Sequence, residues 1–290
     1  AGQEVCRGGE GMIVKTDAIV LKSMRYRETS KIVTFYSRRY GKLAAIAKGA
    51  LEIKSKFGAS LEPMTAVSLV IYKKEHRDLQ LISQCDILKP YKKIHGEMGR
   101  MSAAMAMLEL VNQLTHHEEE KPALYVLLEE SLDGLESAAK NFQNLFFAFE
   151  FRLCGAFGFA PALGSCLRCG RDVFSGPENV VTFQLDKGGL LCASCTAAMK
   201  LRTNGAIATG PFVHKGNDTH GRPPVFVALQ SGTARIMQKL FGAKLDTVAV
   251  LEYPEEVGNE LDETLRSYLR YHFEDLKPLR SAAVFEKIVN

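Results

Sequence analysis

Two cysteine pairs constrain this chain more than any other feature. They are Cys166-Leu167-Arg168-Cys169 and, after 22 intervening residues, Cys192-Ala193-Ser194-Cys195. Each CxxC forms a tight knuckle, and Gly170 follows the first. Four thiolates at this separation can close a tetrahedron around one zinc ion and leave no coordination position open. Such a site is structural rather than catalytic. The competing readings are two disulfides, an iron–sulfur cluster, which also accepts four thiolates, or four free thiols. Disulfides need an oxidising compartment. The remaining cysteines, Cys6, Cys85 and Cys154, are an odd number, which suits a reducing cytosol better.

The 290 residues, 46% of them hydrophobic, suffice for a large core and point to two domains. No apolar run reaches membrane-spanning length, so a soluble protein with no membrane partner is expected. Residues 1–11 lack the apolar stretch of a signal peptide and read as a leader or expression remnant, with Met12 as the natural start. The net charge of +4 is unevenly spread. Met12 to His95 holds 17 Lys+Arg against 7 Asp+Glu, a net of +10, while Gly96 to Asn290 nets −5. A basic first block on a mildly acidic body predicts a polyanion partner for that block alone.

Five short segments read as strands: 13–23, 31–38, 42–47, 64–72 and 79–88. Their β-branched alternation and turn signals predict a small barrel of the OB type, a fold that often binds oligonucleotides. The period turns helical at about Glu97. Met98, Met101, Ala104, Met105, Leu108, Val111 and Leu114 form an i, i+3, i+4 stripe, read as core. Further helices are expected at 122–135 and 142–157. The second is rich in Phe and apolar nearly all round, so it should be central. His116-His117 with Glu118 to Glu120 reads as a solvated loop. Between the knuckles, 180–185 and 188–191 read as a ribbon, and 196–201 as a short helix. Residues 204–224 have no clear period. They include His214 and His220, which are not needed as ligands beside four thiols. Helices return at 233–241 and 257–273. The fold class is therefore α+β and multi-domain. An OB barrel occupies 12–90, and a mainly helical domain at 91–290 carries the four-cysteine module at about 163–200.

The order of these parts, together with MIVKTDAIVLKSMRYRETSKIVTFYSRRYGKLAAIAKGA from Met12, KSKFGASLEPM from Lys54 and YLRYHFEDLKPLRS near the C-terminus, resembles the bacterial RecO recombination-mediator family from Met12 onward. The resemblance implies binding of single- and double-stranded DNA and strand annealing without nucleotide hydrolysis. It implies partnership with RecR and with the C-terminal tail of single-stranded-DNA-binding protein (SSB), and indirectly with RecA, which is loaded on SSB-coated DNA. It also implies a cytoplasmic, nucleoid-associated protein of DNA repair. The chain departs from the family pattern at Leu51-Glu52-Ile53, where family members often carry a more arginine-rich stretch.

Lys22, Arg25, Arg27, Lys31, Arg38, Arg39 and Lys42, with Lys48, Lys54 and Lys56, are the expected phosphate contacts, which should weaken steeply with salt. Tyr26, Phe35, Tyr36, Tyr40 and Phe57 lie among them as candidate stacking rings, with one of Phe35 and Tyr36 in the core. Arg152, Arg168 and Arg171 are candidates for the acidic SSB tail. No P-loop, GxGxxG, HExxH or GxSxG motif occurs, and Cys154 sits in an apolar helix, so no catalysis is expected. The rival reading is an RNA-binding or transcription-linked module, which would need contacts to the 2′-OH. A purely structural adaptor would bind no nucleic acid.

Overall fold

The computed structural model describes residues 11–74, 77–176, 179–202 and 226–279. Residues 1–10, the stretch with His214 and His220, and the last residues lie outside them. The chain divides into two compact units, one of residues 1–138 with 277–290 and one of 139–276.

The first unit is built on a closed five-stranded barrel: β1 (Met12–Tyr26), β2 (Ser30–Ser37), β3 (Gly41–Ala47), β4 (Ala66–Lys73) and β5 (Leu79–Lys89), in the order β1-β2-β3-β5-β4. All neighbours are antiparallel except β3 and β5, which close the barrel over Ala44↔Leu79 to Ile46↔Leu81. The strands form where β-branched and aliphatic residues alternate with polar ones, so one face can be buried. Val14, Ala18, Val20, Val33, Phe35, Leu43, Ala45, Leu69 and Ile71 fill the interior. A bulge between Val20 and Lys22 shifts the register of β1 against β2 and increases the local twist of the strand.

Both Phe35 and Tyr36 are fully buried, so the expectation that only one of them is core was too narrow. Neighbours on a strand face opposite ways, and here both faces of β2 are covered at this point. Phe35 points into the barrel, and the Tyr36 hydroxyl donates to the Lys121 carbonyl at 3.4 Å. The cover includes the 116–121 loop, which joins α2 (Met98–Leu114) to α3 (Pro122–Ser137); the short helix α1 (Lys92–Gly96) precedes them. The expected stripe on α2 is only part of its buried surface: Ala104, Leu108 and Val111 are buried, while Met101, Met105 and Leu114 are half-buried. Met98 is exposed, whereas Ala103, Ala106, Met107 and Leu110 are buried with Ala104, Leu108 and Val111. Arg100 is buried as well, bonded to Glu97 and to the carbonyls of Leu135 and Glu136. The Glu136 carboxylate accepts from the N–H groups of Lys93 and Ile94, at 3.0 Å each. A remote residue thus satisfies the first amides of α1, which no local side chain caps.

The second unit contains α4 (Phe142–Ala156), β6 (Val180–Gln184), β7 (Gly189–Leu191), α5 (Ala193–Arg202), β8 (Phe226–Gln230), α6 (Ser231–Gly242), α7 (Leu245–Val248) and α8 (Glu255–His272). Its three-stranded sheet has the order β7-β6-β8. Helix α4 is central, with Leu145 to Phe151, Leu153 and Cys154 all buried. Asn144 ties it to the chain after α7, donating to the carbonyls of Val248 and Leu251 at 3.1 and 2.9 Å.

Candidate metal centre and nucleic-acid interface

Cys166, Cys169, Cys192 and Cys195 come together in the second unit, their sulfurs all within 4.8 Å of one another. Local backbone rules put them there. The Gly170 N–H bonds the Cys166 carbonyl at 2.9 Å, and Gly170 takes φ = +71°, a left-handed turn that glycine adopts without strain. The Cys166 N–H bonds the Arg171 carbonyl at 2.8 Å, and Leu167 bonds Leu190 of β7 at 2.9 Å. These bonds hang the first knuckle on the ribbon. The second knuckle runs directly into α5, so Cys195 is in that helix's first turn. Sulfurs about 2.3 Å from a tetrahedral ion stand about 3.8 Å apart, and Cys169 and Cys192 are 3.8 Å apart. No cysteine among the described residues is in a disulfide.

Cys166 is buried, which opposes ionisation. Even so, the N–H groups of Cys192, Cys169 and Arg168 around its sulfur hold its thiol well below the usual range. Cys195 is pushed up by burial and by the neighbouring sulfurs. Four thiolates this close repel one another, and a divalent cation is the counter-charge that admits all four. The donor set and spacing therefore fit zinc. Arg168 and Arg171 are exposed beside the first knuckle, with Arg168 reaching the Cys195 carbonyl at 3.5 Å. Arg152 is occupied internally by the Ala243 carbonyl.

In the first unit, the expected cluster of basic residues around the first two turns separates into two ends of the barrel. The turns lie at opposite ends of β2, about 25 Å apart for eight residues of strand. At the β2–β3 end the cations have partners. Arg38 pairs with Glu129 at 3.1 Å and stands over the Tyr125 ring, and Lys42 donates to the Asn112 carbonyl at 2.7 Å. Burial holds the Lys42 ammonium below its usual range. Gly41 takes φ = +59°, and a Cβ there would lie 2.0 Å from the Glu119 carbonyl oxygen. This end therefore seats the 116–121 loop, and Arg38 and Arg39 are both exposed there, Arg38 paired with Glu129 and Arg39 beside Tyr40.

The β1–β2 end is different. Arg25, at the tip of β1, stands opposite Lys31 of β2, which stands opposite Ala47, the residue before Lys48. The loop after Lys48 is tied to the hairpin turn by Leu51 N–H bonding the Thr29 carbonyl at 2.9 Å. Lys22, Arg25, Arg27, Lys48 and Lys54 are exposed, and none of the five has an ion pair among the described residues. Lys31 pairs with Glu62 at 2.8 Å, and Lys56 donates to the Ser83 carbonyl at 2.6 Å. Of the candidate rings, Phe57 is buried with Phe35 and Tyr36.

An open groove of about 430 Å³ also lies in this unit, lined by Pro63, Met64, Ile87, Pro90 and Met105 with Lys92 at its edge.

A closed five-stranded barrel of the OB type, in a chain that also holds a four-thiol cluster, is the class that the structure defines, and barrels of this type often bind oligonucleotides. Comparison with known proteins gives the family. The N-terminal model of Recombination protein O matches residues 12–91, and its C-terminal model matches residues 95–217. DNA repair protein RecO of Salinibacter ruber is 31% identical over 276 residues, covering 95% of this chain and 94% of that one. The protein of the same name from Chloroherpeton thalassium is 28% identical over 280 residues, covering 96% and 100%. The chain belongs to the RecO family of DNA repair and recombination proteins. No helix among the described residues is long and apolar enough to cross a membrane.

Proposed function

We propose that this protein is a recombination mediator that binds single- and double-stranded DNA and anneals complementary strands without nucleotide hydrolysis. With RecR, it helps load RecA on SSB-coated DNA. The observation that carries the reading is the open end of the barrel, where Arg25, Arg27, Lys48 and Lys54 stand exposed beside Lys22, with no ion pair among the described residues. Annealing requires two polyanions to be held together while their bases remain able to pair. Unpaired cations neutralise phosphates and release counterions without engaging the bases. Lys31, Arg38, Lys42 and Lys56 make internal contacts and serve the barrel's own architecture instead. Arg39 is a peripheral contact. No step of this activity needs a nucleophile, and none is assigned.

Zinc is the ion for the four cysteines. Held by Cys166, Cys169, Cys192 and Cys195, it would join the knuckles and tie the ribbon to α5, a folding role in the second unit. Docking of the SSB tail is assigned to the helical region, with Arg168 and Arg171 as its cations and Arg152 as a brace between α4 and the end of α6. The nucleic-acid-binding domain is the barrel (12–90), and the helical remainder from residue 91 spans the rest of the first unit and the whole of the second.

The experiment mixes two complementary strands, each labelled for energy transfer, with and without protein, across a salt series and without nucleotide. Acceleration that fades with salt supports the proposal. Binding without acceleration favours the RNA-binding or transcription-linked module, and no binding at low salt leaves a structural adaptor.

A further inference from the structure

The rows of side chains on the outer face of β1, β2 and β3 can be read across the register. Lys22 stands opposite Thr34, which stands opposite Ala44. Met24 stands opposite Ile32, which stands opposite Ile46, and Tyr26 stands opposite Ser30. The face is open, with Met24 49% exposed, and the intervening residues Val33, Ala45 and Ala47 point into the core. Single-strand-binding barrels ordinarily place aromatic rings on such a face so that successive bases stack on them. Here the rows carry aliphatic and β-branched side chains of low relief, and the rings that the sequence places nearby are spent elsewhere. Phe35 and Phe57 are inside the barrel, and Tyr36 is fully buried with its hydroxyl on the Lys121 carbonyl. Tyr26, the one ring in the rows, has the Arg27 guanidinium over its face, 5.2 Å from the centroid. Tyr72 is exposed but stands opposite Ile13, at the far end of β1 from the hairpin.

We infer that this barrel holds a nucleic-acid strand by its phosphates alone and leaves the bases turned to solvent. This rests on the reading of the hairpin end as the DNA surface and adds how the strand is held there. The consequence is a site that discriminates neither sequence nor base presence, and that presents a bound strand in a form ready to pair. A stacking site would compete with pairing for the same base faces, because each stacked base must be released before it enters a duplex.

The test uses the full chain and three ligands in fluorescence anisotropy at one low salt concentration. They are a mixed-sequence DNA strand, an abasic strand of equal length, and inorganic polyphosphate as competitor. The abasic strand is expected to bind within about threefold of the normal strand, since one lost stacking contact already weakens binding by about fivefold or more. Polyphosphate is expected to displace both strands equally. Tyr26→Leu is expected to leave the affinity for the normal strand within the same limit, with its thermal melt confirming a folded chain. A larger loss in the abasic strand or in Tyr26→Leu overturns the inference while the DNA reading stands. Failure of both strands to bind removes the DNA reading, and this inference with it.

Discussion

The proposal makes a quantitative statement about salt. Consider the quadruple substitution Arg25→Ala, Arg27→Ala, Lys48→Ala and Lys54→Ala, which removes four exposed cations from one end of the barrel. Each phosphate contact to a single strand contributes about 0.7 to the slope of log affinity against log salt. Loss of four contacts should therefore flatten the slope by about 2.8. Between 50 and 200 mM salt the parent chain would lose about 50-fold more affinity than the variant, so the two binding curves converge as salt rises. The four side chains carry no ion pair among the described residues, so the variant's melting temperature should stay within about 2 °C of the parent. The control is Arg38→Ala with Lys42→Ala at the other end. There the cations hold Glu129 and the Asn112 carbonyl, so the melting temperature should fall while the salt slope stays. Anisotropy titrations at several salt concentrations measure the slopes. A quadruple variant with the parent's slope, or a control that flattens as much, would refute the assignment of the hairpin end as the phosphate surface.

Three further outcomes follow from other parts of the molecule. Cys169→Ser should lower bound zinc from about one per chain to near zero by elemental analysis, and proteolysis should then cut first within the second unit, because ligand binding there is folding energy. Gly41→Ala should destabilise the first unit by about 3 kcal/mol, or about 6–12 °C in a melt, since it needs a left-handed φ and drives a Cβ onto the Glu119 carbonyl. Glu150 is fully buried on α4 with one carboxylate oxygen lacking a partner, and burial raises its carboxyl well above the usual range, with Asp262 adding to the shift and Arg266 opposing it. A raised folded-state pKa means the folded chain holds the proton more tightly than the unfolded one. The contribution is complete below the unfolded value of about 4.3 and is lost as pH rises towards the folded one. Glu150→Gln should therefore gain stability on the parent as pH rises, by up to about 1.4 kcal/mol per unit, checked by denaturant titrations at a series of pH values.

The barrel was legible in the sequence because its strands alternate and its turns carry their own signals, such as Tyr40-Gly41 ahead of β3. The clustering of the four cysteines was legible because spacing in the chain constrains spacing in the fold at a knuckle. What escaped were matters of tertiary placement. Arg25 and Arg38 look like neighbours in the sequence, yet a strand of eight residues carries them to opposite ends of the barrel. Tyr36 alternates correctly for the outer face, and only the remote chain covering that face buries it, the 116–121 loop included. The i, i+3, i+4 stripe on α2 marks one buried face through Ala104, Leu108 and Val111, but a helix packed on several sides buries small residues such as Ala103 and Ala106 as readily. Strand β8 is five residues long, and its pairing with β6 across a separation of more than 40 residues leaves no local trace. The capping of α1 by Glu136 is equally remote. The division of the basic residues into paired and unpaired was unreadable for the same reason, since it depends on where Glu62, Glu129 and Asn112 arrive.

The length of β1 also bears on how the chain emerges from the ribosome. Its second half pairs with β2, made almost at once, but Met12 to Ile19 pairs with Ala66 to Lys73, which is synthesised only after the intervening hairpin and loop. Until then, eight residues of a 15-residue strand stand as a bare edge, rich in Ile and Val, able to recruit a strand from another nascent chain. Lys15 and Asp17 interrupt that edge with charge on alternate positions. Replacing both with apolar residues would leave the finished barrel's interior untouched and still lower the yield of soluble protein, because the damage falls in the interval before β4 exists.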